Sequence, residues 1–232
     1  MRGMMAQVIH DLRSPLNRVQ GILQLISKAK HEENEAELIQ ISLREVMLGR
    51  AFVDNLLKST SYREWIPEWS EFDMAELVKE IISRFAEVAL EKNISVQADV
   101  HPGFVRSDRI AVDRILDNLL SNAIKYSPPW SNVCCSRSNH KNGYTLRVAD
   151  KGPGFTEEDQ KKMFTAFQRL SAKPTGGESS FGVGLSSVND LVKVLKGTIE
   201  LKTSTSLGSE FIVTLPNHPI KHVPASSLEY AM

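Results

Sequence analysis

Apolar residues recur at helical intervals along the first part of the chain, up to about Tyr62. Ile9, Leu12, Leu16, Val19, Leu23 and Ile26 step by threes and fours along one face. A charged stretch from Lys28 to Glu37 interrupts them. Leu38, Ile41, Leu48 and Phe52 then resume a stripe, with Ile39, Val46 and Val53 at seven-residue intervals beside it. The pattern predicts two helices joined by a short charged turn, an αα-hairpin. Such a hairpin carries two apolar stripes and few partners of its own. Pairing with a second copy would bury them in a four-helix bundle, and packing on the downstream part of the same chain would bury them as well.

From Trp65 the texture changes. Trp65, Pro67 and Trp69 break the helical period and suit a linker into a short strand near Phe72. A helix is expected from Met74 to Lys92. Ile94, Val96, Ala98 and Val100 then alternate as a half-buried strand does. Phe104 to Arg106 reads as a further short strand, and Asp108 is placed to cap a helix running to Tyr126. Thr145 to Ala149 reads as a strand ending in the glycine turn Asp150-Lys151-Gly152-Pro153-Gly154. Glu157 to Leu170 reads as helix, 171–180 as a Gly/Ser-rich loop and Leu185 to Leu195 as helix. Thr198–Thr203 and Glu210–Leu215 form a closing hairpin. Helices and strands mix without βαβ alternation, so the fold class is α+β rather than a doubly wound sheet. The reading divides the chain into a hairpin (1–62), a linker (63–70), a mixed domain (71–217) and a disordered tail (218–232).

Composition narrows the class. The chain has 232 residues, 41% of them hydrophobic and 24% charged, which suits a folded chain rather than a disordered one. Lys plus Arg equal Asp plus Glu at 28 each, so no net field draws the chain to nucleic acid or to an anionic membrane. No apolar run approaches the roughly 18 residues a membrane helix needs. Cys134 and Cys135 are adjacent, a poor geometry for a disulfide or a metal cage. These features place the chain in the cytoplasm.

Four motifs carry candidate chemistry. The first is His10-Asp11-Leu12-Arg13-Ser14-Pro15-Leu16, in which His10 sits beside the apolar stripe and Pro15 bends the helix. A neutral imidazole with one nitrogen held by Asp11 keeps the other lone pair free for an electrophile, and the Ser14 hydroxyl one turn along could orient a water. The second is Asp117 to Tyr126, which sets Asn118, Asn122, Lys125 and Tyr126 on one helix face. Carboxamide oxygens are hard ligands for Mg²⁺ and an ammonium neutralises phosphate charge; a solvated polar face is the plainer alternative. The third is the Asp150–Phe155 turn. There a carboxylate at a strand end can accept from an exocyclic amine, and Gly152 and Gly154 let the backbone approach a flat ring. The fourth is Phe181-Gly182-Val183-Gly184-Leu185, whose glycines bring a helix N-terminus close to phosphate oxygens. Met163 to Arg169 lies between the third and fourth.

In order and spacing these motifs resemble the phosphoacceptor box of sensor histidine kinases, followed by the N, G1, F and G2 boxes of their ATP-binding domain, a branch of the Bergerat-fold ATPases. The resemblance runs from about residue 8 to 216. It implies a dimeric hairpin bundle followed by a two-layer α/β sandwich that binds ATP and Mg²⁺. It also implies autophosphorylation of His10 and transfer to an aspartate of a response-regulator receiver domain. On that likeness Asp11 is the acid/base partner, and Ser14 assists dephosphorylation. Asn122 holds Mg²⁺, Asn118 and Lys125 contact phosphates, and Tyr126 lies near the sugar or base. Asp150 reads adenine beside Gly152 and Gly154. Phe167 together with Gly182, Val183, Gly184 and Leu185 completes the nucleotide site, under a lid formed by 171–184. The chaperone, gyrase and mismatch-repair branches carry a water-activating glutamate where this chain has Asn118, an amide that is no base at neutral pH. Ser180 stands where the family has glycine, Phe181 where it has a small residue and Phe155 where it has isoleucine. The alternative these departures favour is a nucleotide-binding scaffold without efficient phosphotransfer. The short run before His10 implies the cytosolic catalytic core of a larger sensor.

Overall fold

The structure, a computed structural model, describes residues 65–217 apart from Arg169, Gly177, Ser179, Ser180, Phe181 and Ser206, together with the single positions Gly21, Ile39, Ile41, Ser42, Val46 and Gly49. The expected hairpin with His10, Asp11 and Ser14, and the expected tail, lie outside the described residues. Asp73 and Asp108 stand at two strand-to-helix junctions. Strand β1 (Trp69–Asp73) leads into helix α1 (Met74–Arg84), where the Asp73 carboxylate accepts from the amides of Ala75 and Glu76. Strand β3 (Phe104–Asp108) leads into helix α3 (Arg109–Tyr126), where Asp108 accepts from the Ala111 amide at 2.8 Å. Short polar side chains here satisfy first-turn donors that have no partner within the helix. β1 and β3 pair antiparallel, Trp69 opposite Asp108 and Asp73 opposite Phe104, so the two caps lie at opposite ends of one small ribbon.

The helix expected from Met74 to Lys92 is two helices. α1 ends at Arg84, and α2 (Ala86–Glu91) starts after Phe85, whose backbone (φ −99°, ψ 0°) leaves the helical region. The burial pattern gives the reason. Met74, Leu77, Val78 and Ile81 form the buried stripe of α1. A straight helix would put Val88, seven residues after Ile81, on that stripe. Instead Val88 is 43% exposed and Ala89 only 4%, the rotation that the break at Phe85 introduces.

Five strands form the main sheet in the order β2 (Ser95–Asp99), β4 (Asn132–His140), β5 (Gly143–Asp150), β7 (Gly208–Pro216), β6 (Thr198–Ser204). β2 runs parallel to β4, and the other pairs are antiparallel. β4 has no counterpart in the sequence reading. On one face Tyr144, Leu146 and Val148 lie opposite Leu215, Val213 and Phe211, and Val133 and Cys135 continue the apolar surface. Against it pack α3 and α5 (Gly184–Val194). α3 buries Ala111, Val112, Ile115, Leu116, Leu119, Leu120, Ala123 and Ile124, one stripe repeated along the helix. The other face is polar, with Thr145 against Thr214 and Arg147 near Glu210, the alternation of an antiparallel sheet covered on one side. The layers are thus a mixed sheet and a helical layer, an α+β arrangement.

The helix expected over Glu157 to Leu170 is confined to α4 (Glu157–Lys162). After Met163 the chain turns, and Phe167 takes a left-handed backbone, φ +64°, that ends any helical path. At the far end Asn217 donates its amide to Asn142, while its side-chain oxygen accepts from the Arg106 amide on β3. No helix among the described residues is long and apolar enough to cross a membrane.

Candidate functional site

A cleft of about 260 Å³ opens between the polar face of α3, the end of β5 and the start of α5. From α3 it takes Asn118, Ser121, Asn122, Lys125 and Tyr126, residues at helical spacing opposite the buried stripe. The Asn118 amide nitrogen donates to the Arg114 carbonyl one turn back, which leaves its oxygen end toward α5. An added Cβ on Gly184 would stand 3.1 Å from that oxygen and 3.7 Å from the Asn122 amide nitrogen. The two helices therefore approach at a glycine, with both carboxamides between them.

Asp150 also lines the cleft. It ends β5, and its Oδ1 accepts the Gly152 amide at 2.7 Å, which tightens the turn. Burial holds its carboxyl above the usual carboxylate range, against the opposing pull of the Gly152 and Ser209 amides and the Lys151 charge. Lys125 is shifted the other way. Burial lowers its ammonium, nearby Glu178 opposes the shift and Lys92 adds to it. The cleft thus holds both a desolvated carboxylate and a desolvated cation.

Helices α1, α3 and α4 begin on a side-chain cap, whereas Phe85 at the head of α2 and Val183 at the head of α5 make none. Val183, Gly184 and Leu185 line the cleft, so the first-turn amides of an eleven-residue helix border it. Gly182 precedes them at φ +67°, where an added Cβ would overlap the Gln168 carbonyl and come within 2.9 Å of its carbon. The Gly182 carbonyl accepts the Phe167 amide at 2.8 Å, tying the head of α5 to the turn after α4. Gly154, at φ +75°, would set a Cβ 2.5 Å from the Ser204 carbonyl oxygen. Both positions need glycine for backbone reasons alone.

Of the residues singled out from sequence, Asn118, Asn122, Lys125, Tyr126, Asp150, Gly154, Gly182, Val183, Gly184 and Leu185 converge on the cleft. Gly152 and Phe167 stand behind it. Gly152 supports Asp150, and an added Cβ there would meet Asp150 Oδ1 at 2.9 Å; Phe167 supports Gly182 through its backbone. Met163, Gln168, Leu170 and Ser209 also line the cleft, and Phe155 does so with its ring edge-on to Phe211 at 5.6 Å.

Two supports were not foreseen. Asp159, 2% exposed, accepts from the Ser171 amide at 2.9 Å and from the Ser171 and Thr156 hydroxyls, tying α4 to the loop. Burial works against its ionisation, but these bonds outweigh it and hold the carboxyl below the usual range. The run Thr156-x-x-Asp159 is a capping-box pattern and could have located it. Lys92 donates to the carbonyls of Ile124 and Lys125 and to Glu178, and Thr175 bonds to the carbonyls of Lys125 and Ser127. The loop is thereby fastened to the end of α3.

The donor set fits a nucleoside triphosphate with a divalent cation. The Asn122 oxygen is a hard ligand, Lys125 and the α5 amides would suit anionic oxygens, and Asp150 offers a separate acceptor.

Residues 107–219 match the family described as histidine kinase-, DNA gyrase B-, and HSP90-like ATPase. The sensor histidine kinase TmoS of Ectopseudomonas mendocina is 31% identical over 91% of this chain, which spans 22% of that relative's length. The histidine kinase AdeS of Acinetobacter baumannii has the same fold, with a TM-score of 0.75 at 24% identity over 90% of this chain and 98% of its own. So does the histidine kinase ThkA, solved in complex with the response regulator protein TrrA, at 0.76 and 24% over 94% of this chain and 62% of that one.

Proposed function

We propose that this chain is the catalytic core of an ATP-dependent protein-histidine kinase, a reading supported by the match of residues 107–219 to the ATPase family and by the likeness to sensor histidine kinases. Its phosphoacceptor is His10, and it passes the phosphoryl group to an aspartate of a response regulator. The observation that carries the reading is the convergence of Asn118, Asn122 and Lys125 with Asp150 and the uncapped head of α5 around one cleft. Residues 1–62 form the dimerising hairpin that bears His10, 63–70 the linker and 71–217 the ATP-binding domain.

Asn122 would hold Mg²⁺ through its side-chain oxygen, and bound Mg²⁺ supplies charge neutralisation at the triphosphate. Asn118, Lys125 and the amides of Val183 to Leu185 bind the phosphates. Asp150 accepts from the adenine amine, with Tyr126 nearby. Asn118 has no basic group to activate water, so this site does not direct ATP toward hydrolysis.

His10 attacks the γ-phosphorus through one ring nitrogen. A P–N bond forms as the bond from phosphorus to the β–γ bridging oxygen breaks, and ADP leaves with that electron pair. Asp11 holds the other ring N–H and takes its proton as charge develops on the ring. A carboxylate oxygen of the response regulator then attacks the phosphorus, and Asp11 returns the proton as neutral His10 leaves. Ser14 orients water for the reverse signal, hydrolysis of the phosphorylated aspartate. A kinase solved with its response regulator is among the structures sharing this fold, which supports the choice of partner.

Incubation with γ-labelled ATP and Mg²⁺ tests the reading, with wild type beside His10→Ala. Acid-labile, base-stable label present only in wild type is the expected result. A wild-type protein that binds nucleotide yet takes up no label would leave only a nucleotide-binding scaffold.

A further inference from the structure

Asp108 does more than cap α3. Its Oδ1 takes the Ala111 amide at 2.8 Å, while Oδ2 takes the Trp65 indole N–H at 2.8 Å and the Glu68 amide at 2.9 Å. The residue is 1% exposed, so three donors converge on a buried carboxylate, two of them from the segment just ahead of β1. The Arg114 guanidinium lies over the Trp65 ring, 4.8 Å from its centroid. Trp65 is half-buried against the core while Ile66 beside it is 85% exposed, so the indole is the point at which this segment is held. Arg114 in turn supplies the carbonyl that orients Asn118 in the cleft. One rigid helix thus carries the anchor at its first turn, the stacking arginine at its second and the cleft residues beyond.

We infer that Trp65 and Asp108 are positioning residues for transfer to His10: their clamp fixes where the segment bearing His10 leaves the ATP-binding domain, and so its register against the cleft. The inference rests on the kinase reading above. Neither residue lines the cleft, so loss of the clamp leaves nucleotide binding intact and acts on transfer alone. A misplacement of about 1 Å can cost on the order of 100-fold in rate.

The test uses the full chain with three variants. Asp108→Asn keeps an oxygen for the Ala111 amide but turns an NH₂ toward Trp65 and Glu68. Trp65→Ala removes ring and donor, and Trp65→Phe keeps the ring over Arg114. The readouts are TNP-ATP affinity, KM for ATP, the initial rate of His10 labelling, and amide exchange at Glu68 and Ala111. Asp108→Asn and Trp65→Ala should lose Glu68 protection and keep that of Ala111. They should bind TNP-ATP within about twofold of wild type with unchanged KM, yet label His10 at least about tenfold more slowly. Trp65→Phe should recover part of the rate. Labelling at the wild-type rate in both variants overturns the clamp, and so does a loss of label matched by an equal loss of TNP-ATP affinity. If wild type itself binds TNP-ATP and labels nothing, the kinase reading fails and this inference falls with it, an outcome distinct from the other two.

Discussion

Gly182→Ala should separate the nucleotide site from the stability of the fold. At φ +67° an alanine costs about 1–2 kcal/mol in backbone strain. Its Cβ would also overlap the Gln168 carbonyl, which is backbone and cannot swing aside. The cheapest relief is to pull Gly182 away from Phe167, which forfeits their 2.8 Å hydrogen bond at about 1 kcal/mol. The sum is about 2–3 kcal/mol, which is about 30- to 150-fold if it falls wholly on nucleotide binding. It should fall there, because the strain is local and Val183 to Leu185, the next residues along, border the cleft. TNP-ATP titration should therefore show tens-fold weaker binding, while the melting temperature of the nucleotide-free protein falls by only a few degrees. Gly176→Ala is the control. It has no positive φ, and the nearest atoms its added Cβ would meet belong to the flexible Glu178 side chain, at 3.0 Å. If both variants bind TNP-ATP equally well, the tie between Gly182 and the turn after α4 does not shape the site.

Other substitutions test the charged groups of the cleft and its supports. Burial raises Asp150 above its ordinary value, so its contribution to stability is present at low pH and lost as pH rises through the raised value; Asp150→Asn should melt no lower than wild type at neutral pH while losing ATP affinity and selectivity over GTP. Asp159 is shifted the opposite way from 3.8, so its contribution is present above that pH and lost as pH falls through the lowered value. Asp159→Ala, which strands the Ser171 and Thr156 donors, should melt lower at neutral pH, by about 1–3 kcal/mol, and show a flatter acid limb in melts from pH 3 to 7. Lys92→Met removes a donor from the Ile124 carbonyl, leaves the Lys125 carbonyl to Thr175 and releases Glu178, so thermal melts should fall by several degrees and TNP-ATP affinity should weaken.

The parts of the site that could be read in advance are those that local geometry encodes. A helix fixes the relative directions of Asn118, Asn122, Lys125 and Tyr126 once the register of its apolar stripe is known. The glycines at 154 and 182 signal turns by themselves. β4 escaped because Asn132–His140 holds one β-branched residue among serines, asparagine and cysteines, and its place in the sheet comes from pairing with β2 and β5 rather than from its own propensity. The break at Phe85 was invisible because the stripe of α1 continues plausibly to Val88. Phe167 was placed in the site through the family resemblance, and the structure shows its backbone amide, in a left-handed turn, bonded to the Gly182 carbonyl. Lys92 with Glu178 and Asp159 with Ser171 join residues far apart in sequence, and no periodicity records such partners.

The Trp65 clamp and the Asn217 bonds meet on one short strand. The chain arrives against Asp108 and departs against Arg106, residues two apart on β3 and so about 7 Å apart. A unit whose two ends adjoin is a cassette: spliced into a loop of a host protein, it would leave the host's own ends close together.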